Sequence, residues 1–354
     1  MKYSVKNNVS GTDLENFLKN ATDEQRLRIF QLLPLDLPLQ VTLPILDDGI
    51  YWKRLCVRSW PAWDVWRYSD SWKCMFVHIS VQELIEKFIP NKDDIRDLLK
   101  NLEVYSPYVT FLEIHKLVKC VPEIIKIDVH SEYFEQQLDD IVTAQMNPIY
   151  LDFEKVFGCF PNLTNLTIAL SPSCIDLENL NFNYVDFECL LRATQKLKKL
   201  EKLRLSNGNF SNEQLSKFLQ IFLMHKALKE INFSFNFIDD TMSYLIAKLL
   251  LSNALLENLN LMHNKITDKG AKIIASALYA NSNLKKLDLS LNMIGNHGAA
   301  AIANALLKNK SLTDLNLSKN KITKAGGLAF VQLIKKSKTL RILNLQENFL
   351  GEVC

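Results

Sequence analysis

From Leu200 to Leu350 the apolar positions of this chain recur in one fixed order, leucine-x-x-leucine-x-leucine, followed three residues later by a turn position that is usually Asn. The openings are Leu200, Leu228, Leu256, Leu284, Leu312 and Leu340, and every step is 28 residues. A period of that length predicts a solenoid and has to be recognised before any local element is assigned. Within a unit, Leu284, Leu287 and Leu289 alternate with Lys286, Asp288 and Ser290, which predicts a short strand with one buried face. Ile294 then turns inward, and Gly298 opens a small-residue helix with Ile302 and Leu306 four apart on one face. The same columns run Phe218, Ile246, Ile274, Ile302, Phe330 and Phe222, Leu250, Leu278, Leu306, Ile334. One unit cannot bury its own apolar face, but a stack of them can. Parallel strands lie about 4.8 Å apart and packed helices about 8–10 Å, so the stack is expected to curve with strands inside and helices outside.

Three copies read LENLNLMHNKITDKG, LKKLDLSLNMIGNHG and LTDLNLSKNKITKAG. They resemble leucine-rich repeats of the ribonuclease-inhibitor type, so the expected fold class is α/β, a leucine-rich repeat solenoid with a curved parallel sheet inside and helices outside. The strand-ending column Asn236, Asn264, Asn292, Asn320, Asn348 is read as structural, its amides satisfying backbone groups where the chain leaves the ladder. Gly270, Gly298 and Gly326 share a column that Gln214 and Met242 occupy in the first two copies, and Gly208 replaces the first Asn. Two weaker strand patterns precede the array: Val109, Leu112, Ile114 and Leu163, Leu166, Ile168. Leu163 to Leu200 spans 37 residues, one period plus nine, which calls for an insertion around residues 171–183. Residues 128–140, acidic and without a core pattern, read as a mobile loop.

Upstream of the repeats the pattern is helical. Thr12 to Glu15 and Thr22 to Gln25 each read as a capping box opening a helix, the second carrying a stripe of Leu27, Phe30 and Leu33. Pro34, Pro38 and Pro44 are expected to cut the next stretch into short pieces. All five tryptophans then fall within 21 residues: Trp52, Trp60, Trp63, Trp66 and Trp72. Two readings stand open, a compact helical core built on aromatic area and an aromatic groove for a partner. The expected domains are a Trp-rich helical domain over 1–105, irregular leading repeats over 106–199 and regular repeats over 200–354, the last one incomplete.

Charge divides the chain. From Leu200 onward 20 Lys and Arg face 11 Asp and Glu, a net +9, which leaves −6 to residues 1–199 of the overall +3. A basic array favours acidic partners, although much of the lysine lies on the outer helices. Lys53, Arg54, Arg58, Arg67 and Lys73 near the tryptophans are interrupted by Asp64 and Asp70, so nucleic acid is not expected. No stretch approaches 18 apolar residues, and MKYSVKNNVSG lacks a signal-peptide core, so no membrane is expected either. Seven scattered cysteines with no C-x-x-C pair suit reduced thiols in the cytoplasm rather than a disulfide frame or zinc site.

Motifs for chemistry are missing: no phosphate loop, H-E-x-x-H, G-x-S-x-G or kinase signature set occurs. No enzyme activity, cofactor or metal is expected. The candidate binding surface is the concave face, where one column reads Arg204, Asn232, Asn260, Asp288, Asn316, Asn344 and the next Ser206, Ser234, Met262, Ser290, Ser318, Gln346. A third, Asn207, Phe235, His263, Leu291, Lys319, Glu347, offers Phe235 and Leu291 as apolar contacts. Interface anchors favour Trp, Tyr and Arg, so the tryptophans are the second candidate surface.

The combination YWKRLC…RSW…SDSWKCMF…IEKFIP, then YVTFLEI, FPNLTNLTI, NFNYVDFECLLRATQKLKKLEKLRL and the regular array resembles the dynein regulatory complex subunit 5 family, also called T-complex-associated testis-expressed protein 1. The resemblance covers Ile50 to the end, and the Trp-rich segment is its discriminating part. It implies a structural subunit of the nexin–dynein regulatory complex in the cytoskeleton of the ciliary and flagellar axoneme, with other subunits and doublet microtubules as partners. A competing reading is a ubiquitin-ligase substrate adaptor, because LPLDLPLQVTLPIL before YWKRLC…RSW resembles an F-box. Against it stand Pro38, Pro44 and the missing helix between Leu46 and Tyr51. A GTPase activator with similar repeats would need a catalytic Arg or Asn that the pattern does not single out. The last repeat supplies strand and turn, Leu340 to Leu350, and its edge is expected to be capped by a partner or by further sequence.

Overall fold

The computed structural model describes residues 11–90, 92–118, 151–169, 184–208 and 210–351. The expected acidic loop at 128–140 and the insertion at 171–183 lie outside them. Six helices come first: α1 (Gly11–Asn20), α2 (Asp23–Leu32), α3 (Leu39–Ile45), α4 (Ile50–Ser59), α5 (Trp72–Lys87) and α6 (Ile95–Glu103), with a short 3₁₀ turn, Val65–Tyr68, before α5. The Thr22–Gln25 capping box forms with both reciprocal bonds. Thr12, in contrast, lies inside α1 and does not precede it. The expected stripe on α2 is displaced: Leu27 is 48% exposed, while Ile29, Phe30 and Leu33 pack on the core. The prolines punctuate rather than forbid a helix. Pro38 is the N-cap of α3, where its missing N–H costs nothing, and Pro44 is the penultimate residue of that helix.

Eight parallel strands follow in sequence order: β1 (Phe111–Ile114), β2 (Asn165–Ala169), β3 (Lys202–Ser206), β4 (Glu230–Asn232), β5 (Asn258–Asn260), β6 (Lys286–Asp288), β7 (Asp314–Asn316) and β8 (Ile342–Asn344). The register carries Leu112 to Leu166, Leu203, Ile231, Leu259, Leu287, Leu315 and Leu343. Both irregular strand patterns therefore join the sheet. The helices among the described residues that follow are α7 (Phe153–Gly158), α8 (Tyr184–Lys196), α9 (Asn212–Phe222), α10 (Ser243–Ser252), α11 (Asp268–Ala280), α12 (Asn296–Leu306) and α13 (Lys324–Lys336). The chain is an α/β leucine-rich repeat solenoid whose apolar core runs without a break from Leu14 to Leu333. The helix columns are buried as expected except Ile334, which is 63% exposed because no described helix packs against it beyond α13.

Two polar ladders lock neighbouring repeats. Asn292 donates through Nδ2 to the carbonyls of Leu261, Leu289 and Ser290 at 2.9–3.1 Å, while its Oδ1 accepts from Ile266 N at 3.0 Å. Asn264 and Asn320 repeat the pattern, so the column is structural. The second ladder runs the other way. Asp240, on the turn before α10, accepts from Thr267 N and Gly270 N of the next repeat, capping α11. Asp268 does the same for Gly295 and Gly298, and Asn296 for Thr323 and Gly326. This ladder explains the glycine column, since a Cβ at Gly270 would lie 2.5 Å from Asp240 Oδ1.

The helical module is tied to the first strand by three side chains. Buried His78 donates from Nδ1 to the Cys74 carbonyl at 2.7 Å, accepts at Nε2 from Thr110 and Phe111 N–H groups at 3.4 Å, and stacks on Phe111 at 3.6 Å. That arrangement uses the neutral ring, and burial pushes its pKa down to about 4. Glu86 accepts from His115 N at 2.6 Å, and Arg67 pairs with Glu113 at 3.3 Å.

Candidate functional site

The helix-free face of β4–β8 forms a groove of about 490 Å³ lined by Asn232, Asn260, Asp288, Asn316 and Asn344 with Glu230, Lys286 and Asp314 beside them. Strand alternation sends Leu259 and Leu287 into the core and these polar neighbours outward. Half of each outward side chain is already committed. Oδ1 of Asn232, Asn260, Asp288, Asn316 and Asn344 accepts from the N–H two residues on, at 2.8–3.1 Å, and so holds the chain as it leaves the strand. Asn316 also donates to Asp288 Oδ2 at 3.0 Å. What the groove offers is therefore amide N–H donors, from Asn232, Asn260 and Asn344, among the carboxylates of Glu230, Asp288 and Asp314 and the ammonium of Lys286. The serine column departs from expectation: Ser206, Ser234, Ser290 and Ser318 are buried, and Ser290 and Ser318 donate to Asp288 and Asn316. Further along the face, Arg67, Glu113, Lys202 and Arg204 line a smaller charged groove. There Glu113 is held below the usual carboxylate range by its hydrogen bond to His115, and that contact raises His115.

The third column turns out to be conformational. Asn207, Phe235, His263, Leu291, Lys319 and Glu347 all adopt φ between 54° and 56°, the left-handed region. Bulky residues there cost about 1–2 kcal/mol each, so the position is set by the repeat and not by its side chain. The side chains stand on the rim beyond the strand ends. Phe235 stacks on His263 at 4.7 Å, Leu291 is half-buried, and Lys319 pairs with Glu347 at 3.3 Å.

The tryptophans split into two groups. Trp52 is fully buried, 5.4 Å from the Phe76 ring and edge-on to Tyr51 at 5.3 Å. As a partner contact it is corrected: its ring is core. Trp60 and Trp72 are half-buried, Trp60 donating to Glu83 at 2.7 Å and Trp72 meeting Trp63 at 6.0 Å. Trp63 and Trp66 are exposed, Trp66 at 70%. Burial pushes Cys56 up to about 12 and Cys74 to about 11, so neither thiol is a nucleophile near neutral pH. No cluster of His, Cys, Asp or Glu with metal-ligating potential occurs among the described residues. No helix there is long and apolar enough to cross a membrane.

A family model described as "Leucine Rich repeat" matches residues 252–275, 280–303 and 308–331. Dynein regulatory complex subunit 5 of Mus musculus is 29% identical over 235 residues, covering 65% of this chain and 47% of that protein. Its counterpart in Chlamydomonas reinhardtii is 26% identical over 202 residues, covering 54% and 43%. The chain is similar to dynein regulatory complex subunit 5. An alignment of 235 residues is longer than the stretch from Leu200 to Cys354, so the likeness reaches beyond the regular repeats into the region before them. The chain spans about half the length of the curated relatives it matches. Among solved structures, leiomodin-1 actin-binding site 2 aligns with 43% of this chain and 88% of its own at 22% identity and a TM-score of 0.36.

Proposed function

We propose that this chain is a non-catalytic scaffold subunit of the nexin–dynein regulatory complex, acting in the axoneme of cilia and flagella through protein–protein contacts that help regulate motility. The observation that carries this reading is the shared name of relatives from a mammal and an alga, matched along a stretch longer than the repeat array. The partners are other subunits of the complex and doublet microtubules. An array of interlocked repeats suits a spacer between them, and the net positive charge from Leu200 onward favours acidic surfaces. Localisation of a tagged chain in ciliated cells tests the proposal. Axonemal signal and co-purification with complex subunits are expected; a diffuse signal without them overturns it. The F-box-like adaptor keeps one specific support, since α3 accommodates both Pro38 and Pro44, while no separate helix fits between α3 and α4. Co-purification with an Skp-type adaptor in place of axonemal subunits would favour that reading.

A further inference from the structure

A groove larger than the one on the sheet lies in the helical module. It holds about 790 Å³ between α5 and α6, with Trp60 at one side. One wall is the face of α5 carrying positions 76, 80, 83, 84 and 87; the other carries 94, 97, 98 and 101 of α6 and its cap, then 105. Both runs have helical spacing, so each helix presents one face to the gap. The apolar surface comes from Phe76, Leu84, Phe88, Leu98 and Tyr105, and Tyr105 is hydrogen-bonded to Ser80 across the gap. The Trp60 ring is fixed by its bond to Glu83, which Lys87 also pairs at 2.7 Å. The rim is acidic: Glu83, Asp93, Asp94 and Asp97 against Lys87 and Lys92. Asp94 is forked by Arg96, which also acts electrostatically on Asp97, and Asp93 accepts from Ile89 N at 2.7 Å; Asp93 and Asp97 are exposed and form no salt bridge among the described residues.

We infer that this groove is a docking site for a basic amphipathic helix of another protein. Two helix faces with an apolar floor lack only a third helix to complete ridge-in-groove packing, the helix-in-groove mode of recognition. The exposed Asp93 and Asp97 carboxylates, outside any salt bridge among the described residues, select lysine or arginine flanking its apolar residues. The site stands apart from the axonemal proposal, because it would operate in any assembly that contains the chain.

The test uses the full chain and two labelled helical peptides, leucine at i, i+3, i+4 and i+7 in both, with lysine at the remaining positions in one and glutamate in the other. Fluorescence anisotropy is expected to give at least about tenfold tighter binding of the lysine peptide. The exposed pair Asp93→Asn and Asp97→Asn should lower that affinity roughly three- to tenfold and flatten its salt dependence. Leu84→Glu should abolish binding, with circular dichroism confirming the fold. If Leu84→Glu unfolds the module, the exposed pair still decides the question. Equal binding of both peptides overturns the inference, as does binding of the lysine peptide that ignores the exposed pair. Self-association of the chain that Leu84→Glu abolishes would overturn it as well, making the occupant a second copy.

Discussion

The repeat array and the helical module bury similar kinds of residue but hold them in different ways. In the array each bond has copies one period away: what Asn292 does, Asn264 and Asn320 also do. In the module every tie is used once. Arg54 reaches the carbonyls of Phe30 and Leu33, Lys73 reaches Leu46, and His78 stacks on Phe111 of the first strand. Redundancy spreads the effect of damage, whereas a unique tie concentrates it.

The largest effect should come from Trp52→Ala, about 3–5 kcal/mol in urea unfolding, because a fully buried ring leaves a void no neighbour repeats. Leu287→Ala should cost about 2–5 kcal/mol. A Trp52→Ala loss smaller than that of Leu287→Ala would break the contrast. Next comes pH. His78 is neutral in the fold with its pKa lowered to about 4, against about 6.5 unfolded. Its contribution is therefore fully present above pH 6.5 and lost as pH falls through 4, on the order of 3 kcal/mol across that window. His78→Gln should flatten this slope; an unchanged slope would assign it to other groups. Asn292→Ala should cost roughly 1–3 kcal/mol by stranding the buried Ile266 N–H, since the Leu261 carbonyl keeps its bond from Asn264. Lys286→Ala, on the solvent side of β6, should change stability by less than about 0.5 kcal/mol. A large loss there would reverse the strand orientation.

The array was legible because each repeat restates its pattern, and Leu112 and Leu166 were readable even where the period slips. What escaped was pairwise. Nothing in a single repeat says that Asp268 caps the following helix, although a column of Asp240, Asp268 and Asn296 set 28 residues apart was a signal to follow. The left-handed column was also hidden, since Phe235 and Leu291 carry no glycine-like mark of their conformation. In the module, periodicity is too short to average out errors, so Leu27 looked buried and Trp52 remained undecided. The α5–α6 groove depends on how two helices diverge, which no spacing along one chain encodes.

The two ladders reach in opposite directions, Asn292 back to Ile266 and Asp268 forward to Gly295. A cut anywhere thus leaves loose ends on both sides, unless it removes one whole period. Excising residues 256–283 would let Asn292 take over the seat of Asn264 and bring Gly295 under Asp240. Steps of 28 residues, like links in a chain, are therefore the changes of length that both ladders accommodate.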